Sequence, residues 1–446
     1  MKLGWLLVLA SQLLVVAGFW AWNHVHHPLG NQLTGEAAGL LLAYGRLAGL
    51  LAALAILVQL LLVGRVPWLG RAYGFDRLAR AHHLLGFSLV VLLVAHPVLV
   101  TLGHAAEGDV SWLAQGADFF RHWPGLWAAD LGLGVMAVAI GFSLLMVLNR
   151  LRYELWYAVH LTLYVALALV FFHQVAAGSD FADHPWCRWY WYALNGVVAA
   201  NLLGYRLFRP WWRFRRHRFA VSRLVPETAD VTSVCLEGRD LAGFAARGGQ
   251  FVIVRFLARG FRWEEHPFSL SARPDGRQLR LTIKAAGDFT RRIPQLLPGT
   301  PVVVDGPHGI FTADRCRAGK VLLLAGGIGI TPIRAIAEEL LEQGRDLVLL
   351  YANRNRAGIV FERELEALAA AAAGRLKIHH VLSGAEPGWT GEQGHLDQAR
   401  VLRLVPDVRE REVFLCGPPP MMRSLRQALA ALGVPRGRLH DERFAL

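Results

Sequence analysis

Residues 81–100 read AHHLLGFSLVVLLVAHPVLV, an apolar run carrying His82, His83 and His96. Crossing a hydrocarbon core of roughly 30 Å takes about 20 residues of helix, and the run meets that length. Ionisable side chains at such depth are costly and default to a functional reading. A helix turns about 100° and rises about 1.5 Å per residue, so His82 and His96 fall about 40° from a common face and about 21 Å apart along the axis. That distance suits two sites, one near each leaflet. His83 would point about 140° away from His96 and is left out of the pair.

Working outward, six spans of this kind are legible, at 3–22, 38–63, 83–103, 127–148, 155–177 and 190–208. The first has the look of a signal peptide, but no small-x-small cleavage site follows it, and it is read as a transmembrane helix. The fifth span carries His160 and His173. On an ideal helix these diverge by about 140°, and a bulge or kink between them is needed to turn both inward. Two helices then each supply two histidines at near-matched spacing. His82 pairs with His160 and His96 with His173, or the register is antiparallel. Either pairing makes two bis-histidine sites that suit haem iron in one-electron transfer.

Charge gives the orientation. Arg65, Arg71, Arg77 and Arg80 follow the second span, Arg150 and Arg152 the fourth, and Arg206, Arg209, Arg213, Arg215, Arg216 and Arg218 the sixth. The other loops are poor in arginine and hold Glu36, Glu107, Asp109, Asp118, Asp180 and Asp183. The positive-inside rule places both termini and everything after residue 210 in the cytoplasm. The chain of 446 residues is 54% hydrophobic and 18% charged, a membrane-protein balance, with a formal net charge of +13. Arginines beside apolar spans read as membrane anchoring, with no nucleic acid partner. None of the four cysteines forms a C-x-x-C, which argues against a zinc ribbon, an iron–sulfur cluster or a disulfide framework. Arg46, inside span two near its outer end, either meets an anion such as a haem propionate or snorkels to the interface. His24, His26 and His27 read as a solvated outer loop.

From about Arg218 the pattern changes to short strands and turns, such as Pro274-Asp275-Gly276 before the strand 278–284, and suggests a small β-barrel to about residue 315. From Lys320 strands alternate with helices: 321–325, a helix from Pro332, 347–351, a helix from about Phe361. This is a doubly wound nucleotide-binding pattern. The reading is multi-domain: a six-helix transmembrane bundle (1–210), a β-barrel (217–315), which the resemblance below implies is FAD-binding, and an α/β nucleotide-binding domain (318–446).

The motifs carry a resemblance. His266-Pro267-Phe268-Ser269, with Gly248-Gly249-Gln250-Phe251 before it and Lys284, Gly287-Asp288-Phe289-Thr290 and Asp305-Gly306-Pro307-His308-Gly309 after it, resembles the flavin motif of the ferredoxin–NADP reductase superfamily, in the histidine form of NADPH oxidases and ferric reductases. The resemblance implies that His266 meets the FAD pyrophosphate, that Ser269 approaches the flavin ring, and that Gly287, Phe289 and Thr290 open a phosphate-holding helix. Gly326, Gly327, Gly329 and Thr331, ahead of Pro332, form a strand-to-helix glycine loop that departs from G-x-G-x-x-G and is similar to the superfamily's NADPH loop. Cys416-Gly417-Pro418 matches its second nicotinamide loop. Arg354 and Arg356 follow a strand where a 2′-phosphate would sit, which favours NADPH. Phe444, near the C-terminus, corresponds to the aromatic that covers the flavin. The transmembrane half looks like a ferric-reductase-type domain, with His82, His96, His160 and His173 as haem histidines and Arg46 as an outer-haem arginine.

The implied protein takes electrons from cytoplasmic NADPH through FAD and two b-type haems. Its acceptor lies across the membrane: dioxygen giving superoxide, or else a ferric chelate or a periplasmic partner. No EF-hand is legible, which fits a constitutive, prokaryotic form of a bacterial inner membrane. A transporter carrying a flavin regulatory domain is the reading from a different class.

Overall fold

A computed structural model describes residues 2–26, 36–123, 125–148, 153–177, 185–384 and 386–443. His27, Arg150, Arg152, Asp180, Asp183 and Phe444 lie outside these residues. The chain forms two compact units, one of residues 1–64 and 80–202, the other of residues 65–79 and 203–446.

The helices of the first half are α1 (Lys2–Val25), α2 (Ala37–Val63), α3 (Pro67–Tyr73), α4 (Phe75–Glu107), α5 (Trp112–His122), α6 (Leu126–Val147), α7 (Tyr153–Leu161), α8 (Leu163–Ala177), α9 (Pro185–Leu202) and α10 (Arg209–His217). Among the described residues, five stretches are long and apolar enough to cross a membrane: Gly4–Val25, Ala37–Val63, Phe75–Glu107, Leu126–Met146 and Leu155–Gln174. The expected sixth span falls on α9 and the π-helical turn Leu203–Phe208 that continues it. That stretch is helical but is not among the five. Arg188, Asn195 and Asn201, together with its tyrosines and tryptophans, make it more polar. Helix α5, which the sequence reading missed, starts at Ser111, whose Oγ accepts from the Ala114 amide at 3.2 Å.

In the first unit Ile56 of α2, Met136 of α6 and Ala166 of α8 are buried together, with Leu89 and Leu93 of α4 packed on them. Val16 of α1, Ala53 and Leu54 of α2 and Trp191 of α9 form a second cluster. Small residues let helices approach where lipid supplies no hydrophobic drive. Gly45 and Gly49, one turn apart on α2, face α4: a Cβ on Gly45 would lie 2.9 Å from the Val100 backbone nitrogen.

The second unit opens with β1 (Ala220–Thr228), β2 (Val231–Glu237), β3 (Phe251–Phe256), β4 (His266–Ser269), β5 (Gln278–Lys284), the short helix α11 (Asp288–Arg292) and β6 (Val302–His308). Two antiparallel three-stranded sheets form, ordered β1-β2-β5 and β4-β3-β6. Bridges at Ala220–Pro301 and Leu270–Leu281 give a barrel-like arrangement. Alternating side chains meet inside, among them Leu236, Phe256, Leu281 and Val304.

The chain continues as β7 (Lys320–Gly326), α12 (Ile330–Glu342), β8 (Asp346–Asn353), α13 (Glu362–Ala371), β9 (Leu376–Leu382), β10 (Glu392–Gln393), α14 (Gln398–Leu404), β11 (Glu412–Cys416), α15 (Pro419–Ala431) and β12 (Leu439–Glu442). These strands make one parallel sheet ordered β10-β9-β8-β7-β11-β12. From β7 the chain moves first to β8 on one side and later to β11 on the other. The order reverses between β7 and β11, and open α/β sheets bind ligands outside the carboxyl ends of such a pair.

Charged groups clamp the nucleotide layer to the barrel-like sheets. Arg280 of β5 reaches Glu227 at 2.7 Å and Glu364 of α13 at 2.9 Å. Arg334 of α12 donates to the Ser271 carbonyl and meets Glu364, each at 2.8 Å. Both guanidinium groups lie over the Phe361 ring. Gly249 holds φ +84, and a Cβ there would overlap the Phe311 carbonyl. Gly249→Ala is expected to destabilise this unit by about 2 kcal/mol or more, from strain and overlap together. A denaturation midpoint equal to that of the parent would refute this.

Candidate functional site

Helix α4 runs unbroken from His82 to His96, whereas the fifth apolar stretch breaks between His160 and His173. Thr162 interrupts it, its amide and hydroxyl both bonding the Val159 carbonyl, at 3.0 and 2.6 Å. The break resets the helical phase that an ideal helix would have set wrongly. His82 then lies beside His160, ring centres 6.2 Å apart, and His96 beside His173 at 6.5 Å. An ion between two facing imidazoles, at about 2 Å from each nitrogen, separates the ring centres by about this much. The His83 ring centre also lies 6.3 Å from that of His82, but His83 is exposed whereas His82 is partly buried.

Neighbours fix the ring orientations. His96 Nδ1 bonds the Gly45 carbonyl at 2.8 Å, which leaves Nε2 as the acceptor nitrogen. Gly49 makes room, since a Cβ there would come within 2.6 Å of that ring. Near His160, the Ser143 hydroxyl donates to the Ala139 carbonyl at 2.8 Å and accepts from Trp156 at 3.1 Å, and its oxygen lies 3.5 Å from His160 Nδ1. Trp156 also stacks on the His160 ring. Nδ1 of His82 and of His173 is buried without a hydrogen-bond partner. The residues therefore fit a group that takes one imidazole nitrogen from each side. Arg46 is partly buried on α2, with His104 as an electrostatic neighbour.

In the second unit, β4 carries the whole His266–Ser269 run as an edge strand beside β3. The His266 ring lies 3.9 Å from that of Phe289, and Phe268 stacks on the same ring at 6.5 Å. Pro267 is exposed and Ser269 buried. The Thr290 hydroxyl accepts from the Ala286 and Gly287 amides, both at 2.9 Å, which fixes the turn into α11. Lys284 is exposed and pairs with Asp230 at 3.3 Å.

Arg65, which the sequence reading took as a positive-inside anchor, is largely withdrawn from solvent here, its side chain 11% exposed. It donates to Asp305 at 2.9 Å and to Glu265 at 2.8 Å. Arg255 binds the other oxygen of Glu265. Burial alone would raise the Asp305 carboxyl, but the hydrogen bond and charge of His308, then Arg65, bring it down to about 2. Phe75 adds ring contacts with Phe251 and His308. The segment 65–79 thus seats on the flavin motifs on either side, next to His266 and within Asp305–Gly309.

At the switch point the two glycine loops interlock. A Cβ on Gly329 would overlap the Cys416 carbonyl, and one on Gly326 would meet Met421 Sδ at 2.6 Å and Pro418 Cδ at 2.8 Å. Gly327 holds φ +50, and Gly417 backs onto Gly326. Tyr351, buried and unforeseen, donates its hydroxyl to the Gly327 carbonyl and accepts from the Val360 amide, both at 3.2 Å. Thr331 Oγ1 donates to the Ile328 carbonyl at 3.0 Å. Arg354 and Arg356 are exposed after β8, Arg356 pairing with Glu362 at 3.2 Å. Cys416 is fully buried, and burial, then Glu442 and Asp76, pushes its thiol well up. Its register partner on β12 is Glu442, a buried carboxyl held far above its usual range by burial and then Asp76. Glu442 was assigned no role from the sequence, because the burial of a single acid has no local signal.

Comparison with known proteins gives three family matches: a ferric reductase like transmembrane component over residues 48–171, an FAD-binding domain over 219–310 and an oxidoreductase NAD-binding domain over 323–427. These define a membrane-associated flavin and NAD(P) oxidoreductase. The chain belongs to the ferric reductase and NADPH oxidase type, a ferric-reductase-like transmembrane domain joined to a ferredoxin–NADP reductase-like module. It is 31% identical over 251 residues to the glycine betaine monooxygenase reductase subunit of Chromohalobacter salexigens (52% of this chain) and spans 65% of that relative's length. It is 30% identical over 286 residues to an NADPH oxidoreductase of Mycobacterium tuberculosis (60% of this chain, 71% of the relative). It is 31% identical over 231 residues to ferredoxin–NADP reductase B of Sorangium cellulosum (49% and 93%). Among solved structures, the flavohem-like FAD/NAD binding domain of a Vibrio cholerae nitric oxide dioxygenase is similar at 24% identity and a TM-score of 0.46, over 52% of this chain and 99% of that one.

Asp305 gives an acid-range prediction. Its folded pKa lies below the unfolded value of about 3.9, so it adds about 2 kcal/mol above that value, and this fades as pH falls towards 2. The stability gap between the parent and Asp305→Asn, read from urea denaturation, is expected to be widest near pH 5 and to shrink by about that amount by pH 2. A gap constant across the window would remove Asp305 from the acid response.

Proposed function

We propose that this chain carries electrons from cytoplasmic NADPH, through FAD and two b-type haems, to dioxygen on the far side of a bacterial inner membrane, with superoxide as product. The observation that carries the reading is the pair of facing histidine couples, His82 with His160 and His96 with His173, in a chain that also holds the flavin and nucleotide modules. One NADPH supplies two electrons, which reduce two dioxygen molecules to two superoxide ions and release one proton. FAD when bound would accept the pair as hydride and release electrons singly, and each haem would relay one at a time. On this reading the transmembrane part has six spans, α9 and the turn after it being the last. The domains run 1–210, 217–315 and 318–446, with a closed β-barrel in the second, and the arginine-rich loops face the cytoplasm.

Each residue's part is to hold and to orient. His266, Pro267, Phe268 and Ser269, with Lys284, Gly287, Phe289 and Thr290, would hold FAD. Gly326, Gly327, Gly329 and Thr331, with Gly417 and Pro418, leave backbone room for the dinucleotide between β7 and β11. Cys416, as a neutral thiol, would pack beneath the nicotinamide, and Phe444 would cover the flavin. Arg46 would meet an anion near the outer haem, a propionate or nascent superoxide. A second reading, electron delivery to a partner protein, draws support from relatives named as monooxygenase reductase subunits. A ferric chelate as acceptor draws on the transmembrane family match.

NADPH-driven cytochrome c reduction by the FAD-loaded protein tests the acceptor. Loss of most of the rate on adding superoxide dismutase is expected, and a rate indifferent to the dismutase would eliminate dioxygen. His160→Ala should lower bound haem from two per chain to one, while His83→Ala keeps both, as read by pyridine haemochrome. An unchanged content in His160→Ala would sink the paired-histidine assignment. Arg354→Ala should raise KM for NADPH about tenfold without affecting NADH, the loss expected for one charge-assisted contact. Equal effects on both nucleotides would place the 2′-phosphate elsewhere.

A further inference from the structure

Helix α10, with the sequence RPWWRFRRH, follows directly on the π-helical turn that ends α9 and packs against β6 with Pro210 and His217 buried. Arg209 and Arg213 are four residues apart and so share a face. Arg213 lies over the Phe244 ring at 5.1 Å, and its Nη1 is buried without any acceptor. Among the described residues, the carboxylate whose charge reaches both arginines is Asp305. That carboxylate is already bound by Arg65 at 2.9 Å and faces His308 at 3.4 Å. Arg71 of α3 adds a further positive charge beside Arg209. Burial, then the charge of Arg209, holds the Arg213 guanidinium down to about 10. Positive charge is therefore in excess here, and one donor lacks a partner, a costly arrangement unless an anion completes it.

The flank of the same segment is apolar and open. Leu207 is 62% exposed, Phe208 60%, Trp211 52% and Trp212 42%. Arg215 and Arg216 lie over the two tryptophan rings. Tryptophan and arginine together at the end of an apolar helix are the mark of a segment lying in a membrane interface.

We propose that this segment is a binding site for an anionic phospholipid. Arg209 and Arg213 take the headgroup phosphate, Arg71 adds its charge, and the acyl chains lie along Leu207, Phe208 and Trp211. Arginine suits the role because its fork donates two hydrogen bonds to one phosphate. The site is independent of the haems and of the electron acceptor.

The test uses the full chain, FAD-loaded, in a neutral detergent, titrated by calorimetry with dioctanoyl phosphatidylglycerol, dioctanoyl phosphatidylcholine or inorganic phosphate. Phosphatidylglycerol should bind saturably and about tenfold more tightly than either of the others. Arg209→Gln with Arg213→Gln should weaken it about tenfold, while Arg213→Lys, which keeps the charge, and Arg273→Gln with Arg375→Gln, which remove two charges elsewhere, retain it. If the double variant fails to fold, Arg213→Lys and the loss of binding in high salt still decide the matter. Equal binding of phosphatidylcholine, phosphate binding as tight as the lipid, or full affinity in the double variant each overturns the proposal. So does binding by FAD-free protein alone, which would assign these arginines to the flavin's own phosphates.

Discussion

A guanidinium held between two carboxylates sets the geometry of the flavin end of this protein. Arg65 sits just past the end of the second apolar helix and donates to Glu265 and Asp305 at 2.8 and 2.9 Å. Three charges out of water cost several kcal/mol each, and the arrangement survives only because each is met by hydrogen bonds. Such a network adds little net stability over apolar packing, but it tolerates no slippage, since losing one partner strands the others. Its effect is positional. Glu265 is the residue before His266, and Asp305 opens the run to Gly309, so one side chain registers the segment 65–79 against both flavin motifs.

The same economy of burial governs the helical unit. An imidazole is costly to bury unless it is partnered, and two of the four have a neighbour at Nδ1. The Gly45 carbonyl takes His96 Nδ1, and Ser143 lies at His160 Nδ1. The small face of α2 makes the first of these possible, because a side chain at Gly49 would occupy the space of the His96 ring. Nδ1 of His82 and of His173 has no such partner, so each couple joins one anchored ring to one unanchored ring.

Electrostatics in the nucleotide half divide by burial. At the carboxyl end of β11 burial raises both the Cys416 thiol and the Glu442 carboxyl beside it on β12. The cations Arg354 and Arg356, which follow β8, are exposed.

Much of this was legible in the chain itself, because periodicity and glycine placement are local properties. Hydropathy marked the apolar helices, strand β5 fell on its expected residues 278–284, and the glycines of Gly326–Gly329 and Gly417 marked where backbone needs room. The spacing of His82 and His96 followed from helix geometry alone. What the chain could not state is anything that depends on a partner distant in sequence. The break at Thr162 is a hydrogen-bond choice that no propensity announces, yet it turns His173 towards His96. Arg65 looked like one of several interfacial arginines until its carboxylates arrived from two hundred residues away. Glu442 carried no local sign of burial, and it is β12 that lays it beside Cys416. Composition fixes which groups are costly to bury; only the tertiary structure decides which of them are buried, and against what.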